Sequence, residues 1–260
     1  MELGHVVVSV NDHPKYFRFV PVFSAAWRYF YPNIKLHIVY TGLSPINLNF
    51  LHQYFDVVEH LPLKIFKDSV LGAQVSRIYY PALIDSDQFV VTTDIDLIPL
   101  SSNYYLNVIQ EFDEKSFIVM RNVIEQYKEL PIGYNVATSS TWRDVFGVLN
   151  HKQFTAKIYS DLRWVRHDGQ HGGKGWNHDQ RQLWRFVIDR RNKWDANLKR
   201  LILLKDDSPG IFFTRLDRES KDSLEIFLKT SRELLGGKYK DYHMPELKED
   251  DIPRMLSKFV

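Results

Sequence analysis

The chain has 260 residues, 44% of them hydrophobic and 25% charged, which is enough to bury a core without staples and is unlike a disordered or fibrous protein. Its 34 basic and 32 acidic side chains leave a formal charge of +2, so overall electrostatics give no reason to expect nucleic acid or an anionic membrane as a partner. The absence of cysteine excludes a disulfide framework, a thiolate metal site and a cysteine nucleophile, and it suits a reducing compartment.

The first strand signal, HVVVSV (5–10), starts close to Met1 and leaves no room for a signal peptide, and no apolar stretch is long enough to span a bilayer. A soluble, cytoplasmic protein is therefore expected, although a catalytic domain cut from a longer tethered chain would look the same. After that strand, residues 13–32 carry aromatic and aliphatic side chains at helical spacing up to Pro32. IKLHIVYTG (34–42) reads as a second strand, LNFLHQYFD as a short helix, and VVEHLP (57–62) as a third strand. AQVSRIYYPALI (73–84) reads as a helix and QFVVTTDID (88–96) as the next strand. Strands alternating with helices through short links predict an α/β fold, a mostly parallel sheet with helices on both faces. Ligands in such sheets bind beyond the carboxyl ends of the strands, which is where SVND and TDID fall.

Beyond residue 100 the pattern weakens. SFIVMRN (116–122) reads as a strand, LPIGYNVATS as a loop or strand, and STWRDVFGVLNHKQF (140–154) as a helix. Four of the 12 glycines lie within residues 169–175, which predicts a mobile loop opening the helix DQRQLWRFVIDRRNKW. The last stretch, 236–260, is polar and irregular, and its paired glycines suggest a hinge. A single domain over 1–235 is expected, with 236–260 as a tail packing over the active site.

Asp94 and Asp96 stand one residue apart at the end of a buried strand, where two anions repel and are costly to desolvate. A hard divalent cation, Mn²⁺ or Mg²⁺, takes oxygen ligands and would relieve that repulsion, with open positions left for substrate phosphates. Asp-x-Asp recurs in surface loops by chance, so its meaning rests on the strand before it and the order of elements upstream.

The stretch SRIYYPALIDSDQFVVTTDIDLIPL resembles the segment of GT-A fold nucleotide-sugar glycosyltransferases in which a helix bearing Arg and Pro leads into the strand that delivers Asp-x-Asp. SVND, GYNVATSSTW and NHDQRQLW are similar to further parts of such enzymes in the same order, including those encoded by large DNA viruses of algae. The resemblance covers residues 5–185 as architecture, and the tail matches through a single residue. It implies a GT-A-like (Rossmann-like) fold and transfer of a sugar from a nucleoside-diphosphate sugar, a UDP-sugar above all, to a glycan or glycoprotein acceptor. By the same resemblance Asp94, Asp96 and His243 would bind the metal, with Asp94 also lying near the ribose or donor sugar. Ser9 and Asn11 would sit by the base and ribose, Arg77 by phosphate or ribose, and Lys248 by the diphosphate. Asp179 and Gln180 would meet the donor sugar near its reacting carbon, and Tyr134 and Asn135 would line the sugar or acceptor side.

Each assignment has a plainer rival. His243 can be a surface histidine in a charged tail, Arg77 a solvated helix residue, and Asp179 a helix N-terminal carboxylate favoured by the dipole. The aromatics of residues 16–31 read as core. Two other functions use the same features: an Mg²⁺-dependent nucleotidyltransferase or phosphohydrolase through Asp-x-Asp, and a non-catalytic carbohydrate- or nucleic-acid-binding module through the 14% aromatic content. Against the first, there is no P-loop and no Gly-rich stretch after the first strand; against the second, the rings fall at core spacing.

Overall fold

Strand β1 (Leu3–Val10) is buried along its whole length, as a valine-rich strand covered on both faces must be. In the computed structural model, which describes residues 2–64, 66–168, 170–194, 200–208 and 212–260, it lies near the middle of a seven-stranded sheet. The other strands of that sheet are β2 (Lys35–Tyr40), β3 (Val57–His60), β4 (Phe89–Thr92), β6 (Ser116–Val119), β7 (Asn135–Thr138) and β8 (Arg200–Leu203). Their order is β3-β2-β1-β4-β7-β6-β8, and β7 alone runs antiparallel to its neighbours. The mostly parallel α/β sheet expected from the sequence is therefore present.

Side chains alternate between the two faces of the sheet. Val6, Val8, Leu36 and Ile38 join Phe23 and Trp27 of the helix Val20–Phe30 in one core. Val7, Val39 and Val90 join Val75 and Ile78 of the helix Phe66–Tyr79 and Trp142 of the helix Ser139–Phe146 in the other. Pairing of Val7 with Thr92 and of Val10 with Tyr40 aligns the carboxyl ends of β1, β2 and β4 on one rim.

Several elements differ from the sequence reading, each for a local reason. The helix expected over 140–154 is two helices, because Gly147 turns left-handed (φ 60°) and Asn150 caps the next, His151–Trp164, by accepting from Gln153 N at 3.0 Å. The helix expected over 73–84 starts earlier, at Phe66, and tightens to a 3₁₀ turn at Tyr80–Leu83, where Pro81 supplies no N–H. The strand expected over 88–96 stops at Thr92. Leu97 N then donates to Asp94 O at 3.0 Å, so the two aspartates sit in a turn leading to β5 (Leu97–Pro99).

The segment expected to be an irregular tail carries β10 (Asp241–His243) and the helix Asp251–Leu256. β10 is the middle strand of a second sheet, antiparallel to β5 and parallel to β9 (Arg215–Leu216). Tyr242, Met244, Leu247 and Met255 are buried in the first core. Gly236 and Gly237 lie within the helix Arg232–Lys238 and form no hinge; a Cβ on Gly236 would stand 2.5 Å from Leu100 O. Close approach, not freedom, calls for glycine there.

His5 on β1 and His37 on β2 face each other under the second core, Nδ1 to Nε2 at 2.9 Å, with the Tyr80 ring beside His37. Burial, reinforced by His5, pushes His37 down to about 4, and burial followed by Lys35 lowers His5 as well. The unfolded chain binds protons near the ordinary histidine value while the folded chain does not, so stability is present above about pH 6.5 and falls toward pH 4. The protein is expected to be about 2 kcal/mol less stable at pH 5 than at pH 7 through His37. Urea unfolding at both pH values should show a smaller difference in His37→Leu than in wild type; an equal difference would remove the pair from the account.

Candidate active site

The turn after β4 and the short second sheet together build the site. Antiparallel pairing of β5 with β10 places His243 opposite Leu97, and Met244 N donates to Asp96 O at 2.8 Å. His243 Nε2 consequently lies 3.4 Å from Asp96 Oδ2. Parallel pairing of β9 with β10 then delivers Asp217, 3.6 Å from His243 Nδ1, and Arg218, whose NH1 lies 3.2 Å from Asp96 Oδ2. Gly133 lets the preceding loop close on this turn, since a Cβ there would meet Leu97 Cδ1 at 2.7 Å.

Asp94 takes a different partner. Arg77, on the helix Phe66–Tyr79, is bonded to Asp94 Oδ1 through one terminal nitrogen and to Asp179 Oδ2 at 2.7 Å through the other. Only 12% of the Arg77 side chain and 2% of the Asp179 side chain are exposed. Burial disfavours the charged form of Arg77, but Asp94 and Asp179 outweigh it and hold the guanidinium charged. Burial pushes Asp179 above the ordinary carboxylate range, with Arg77 opposing the shift and Asp94 adding to it. For Asp96 burial acts upward too, but His243 and Arg218 prevail and hold it below that range.

These groups line one cleft of about 360 Å³ at the carboxyl ends of β1 and β4. Ser9, Asn11, Arg77, Asp94, Asp96, Tyr134, Asp179, Gln180 and His243 all reach it. Ser9 Oγ donates to Ala73 O, and Asn11 Nδ2 donates to Ser69 Oγ at 3.3 Å, so both also tie the end of β1 to the neighbouring helix. Tyr134 donates its hydroxyl proton to Asp241, accepts from Arg215, and has the Arg121 guanidinium 5.1 Å from its ring centre. The structure does not bring Asn135 or Lys248 to the cleft lining. Asn135 Nδ2 instead braces the loop before it by donating to Pro131 O at 2.7 Å and Ile132 O at 3.0 Å. Lys248 is exposed, and its backbone N–H donates to Asp251. His171 and Trp176 from the glycine-rich stretch also line the cleft; Gly169 lies outside the described residues.

Sequence reasoning missed Arg121, Arg215, Arg218 and Asp217. No periodicity marks them, because a two-residue strand positions three of them. Tyr16, grouped with the core aromatics, is half-buried and lines the cleft; the reading holds for Phe19, Phe23 and Trp27. Lys15 was missed as well, and its nearest carboxylate is Glu246 at 3.6 Å.

The donor chemistry can be tested against Mn²⁺ or Mg²⁺. Two ligands on one such ion, with bonds of about 2.1 Å at right angles, stand about 3 Å apart. The Asp96 and His243 pair, at 3.4 Å, fits. Asp217, facing the other imidazole nitrogen, is placed to orient the ring toward an ion. Asp94 is held by Arg77, and among the described residues no group of three His, Asp or Glu side chains is arranged to hold an ion.

Neither a protein-family model nor a curated protein matches the sequence. Solved structures do match. An active-site mutant of LgtC shares 12% identity over 98% of this chain and 94% of its own, with a TM-score of 0.52. The galactosyltransferase LgtC in complex with donor and acceptor sugar analogues shares 13% identity over 97% and 95%, with a TM-score of 0.50. The fold is that of the GT-A glycosyltransferases. A glycosyltransferase involved in glycosylation of the major capsid of PBCV-1 is also similar, with 12% identity over 97% and 98% and a TM-score of 0.47.

Removing the Arg77 guanidinium would leave Asp179 buried beside Asp94 without a counter-charge. Arg77→Met is expected to lower the unfolding free energy by about 3 kcal/mol, read from urea denaturation. Adding Asp179→Asn should return most of that loss. A double variant no more stable than the single would show that the ion pair is not what holds this part of the site.

Proposed function

We propose that the chain is a metal-dependent glycosyltransferase that moves a sugar from a nucleoside-diphosphate sugar, with a UDP-sugar as favoured donor, to a hydroxyl of a glycan or glycoprotein. The observation that carries this reading is the convergence of Asp94, Arg77 and Asp179 with Asp96 and His243 in one cleft at the strand carboxyl ends, in a chain whose structural neighbours are glycosyltransferases. A buried arginine between two carboxylates also occurs in structural networks, but those do not need the second carboxylate and histidine beside them.

Asp96 and His243 would hold Mn²⁺ or Mg²⁺, with Asp94 as third ligand through Oδ2, the oxygen opposite the one bonded to Arg77. When bound, the ion neutralises charge on the departing nucleoside diphosphate. The chain's own cations, Lys15 and Arg218, stand where they can meet the phosphates. Ser9 and Asn11 border the base and ribose, while Tyr134 faces the sugar or acceptor side. Asp179 and Gln180 contact the donor sugar near its reacting carbon. A carboxyl pushed above its usual range by burial is better matched to proton transfer near neutrality, so Asp179 is also the group to take the acceptor hydroxyl proton if configuration inverts. Trp176 and His171 help keep water from the reacting centre. No described helix is long and apolar enough to cross a membrane.

The test is to incubate the protein with Mn²⁺ and a panel of nucleotide sugars and to measure released nucleoside diphosphate. No release from any donor, with acceptors supplied, would refute the transferase reading. Asp96→Ala is expected to abolish metal-dependent binding of nucleoside diphosphate, read by calorimetry, and undiminished binding would remove the metal role. Asp179→Asn should bind nucleoside diphosphate close to wild type while turnover falls about a hundredfold or more. If affinity falls as far as turnover does, Asp179 belongs to the diphosphate and not to the sugar.

A further inference from the structure

Each carboxylate of Asp-x-Asp already holds an arginine: Arg77 on Asp94 and Arg218 on Asp96. The two arginines are held very differently. Arg77 is buried and fixed at its second nitrogen by Asp179. Arg218 has 28% of its side chain exposed, and its other carboxylate neighbour is Glu219 at 3.8 Å, itself largely in solvent. One arginine is a fixture of the fold, and the other is tethered by Asp96, with the exposed Glu219 beside it.

Arg218 NH1 and His243 Nε2 approach the same oxygen, Asp96 Oδ2, at 3.2 and 3.4 Å. A divalent cation drawn to Asp96 and His243 would meet the guanidinium at a few ångströms, and like charges at that range repel strongly in a partly dry cleft. With 28% of its side chain in solvent, Arg218 has room to leave the carboxylate, and a divalent cation brings Asp96 twice the charge. The guanidinium that leaves stays in the cleft lining, and its planar fork of N–H donors suits phosphate oxygens.

We infer that Arg218 is an exchangeable counter-cation. It neutralises Asp96 until a divalent cation takes that carboxylate, then turns to the phosphates of the nucleoside diphosphate. This rests on the glycosyltransferase reading and adds to it a residue that couples the two binding events. Metal binding frees the arginine the diphosphate needs, and a bound diphosphate keeps that arginine off Asp96, so each should favour the other.

The experiment measures Mn²⁺ affinity by calorimetry without nucleotide, then nucleoside diphosphate affinity at saturating Mn²⁺, in wild type, Arg218→Ala and Arg218→Lys. Arg218→Ala should bind Mn²⁺ alone about tenfold more tightly, because no cation competes for Asp96, and should bind the diphosphate about tenfold more weakly. Arg218→Lys, which keeps the charge and loses the fork, should lie between in both. Adding Asp96→Ala to Arg218→Ala should cancel the gain in Mn²⁺ affinity. Equal or weaker Mn²⁺ binding by Arg218→Ala overturns the inference, as does a gain that survives Asp96→Ala, or no Mn²⁺ binding by any of the variants. Failure of the glycosyltransferase reading would look different: the exchange would be observed in full while no nucleotide sugar was turned over.

Discussion

The contact on which the site depends is the Arg77 guanidinium between Asp94 and Asp179. It joins three elements, the helix Phe66–Tyr79, the turn after β4 and the start of the helix His178–Trp184, at a point from which water is largely excluded. Two carboxylates converging on that point would repel each other without it. With it, both are tied to one rigid frame, and the frame fixes how far the end of β4 stands from the second helix. The Asp-x-Asp pair is thereby divided. Asp94 is bonded to the interior network through Oδ1, while Asp96 faces His243 and Arg218.

A second constraint comes from the three-stranded sheet. Its strands are two or three residues long and would be marginal alone. They persist because Tyr242 and Leu216 sink into the core that also contains Trp27 and Phe23, with the Phe227 ring stacked on Tyr242 at 5.0 Å. Hydrophobic burial thus sets the register of β10 against β5 and β9, and register sets which polar residues meet. A backbone ladder does the aligning, and a slip of one residue would turn His243 to the opposite face.

The sequence reveals the large sheet and much of the cleft for identifiable reasons. Valine-rich runs such as HVVVSV and FVVT can satisfy burial on two faces only as interior strands, and Asp94, Asp96 and Asp179 carry chemistry that has no easy place in a core. Local signals failed where distant pairing decides. Asp241 to His243 are polar enough to read as tail, and only their partners on β5 and β9 make them a strand. Asn135 shows the opposite case, a polar residue whose place in a recognisable stretch suggested ligand contact and whose amide nitrogen donates to Pro131 and Ile132. The aromatic content, which by itself suits a sugar-binding surface, has a structural explanation in Trp27, Trp142 and Trp194, all buried.

The bond from Met244 N to Asp96 O has a bearing on how the protein comes into being. Asp96 is made early on the ribosome and Met244 late, so the turn that presents the carboxylate is unfinished for most of synthesis. The large sheet can assemble around β1, β2 and β4 while the cleft is still open on one side. Its last wall arrives with the strand that carries His243, and a chain released before that point would lack both that histidine and the part of the first core that Tyr242, Met244, Leu247 and Met255 fill.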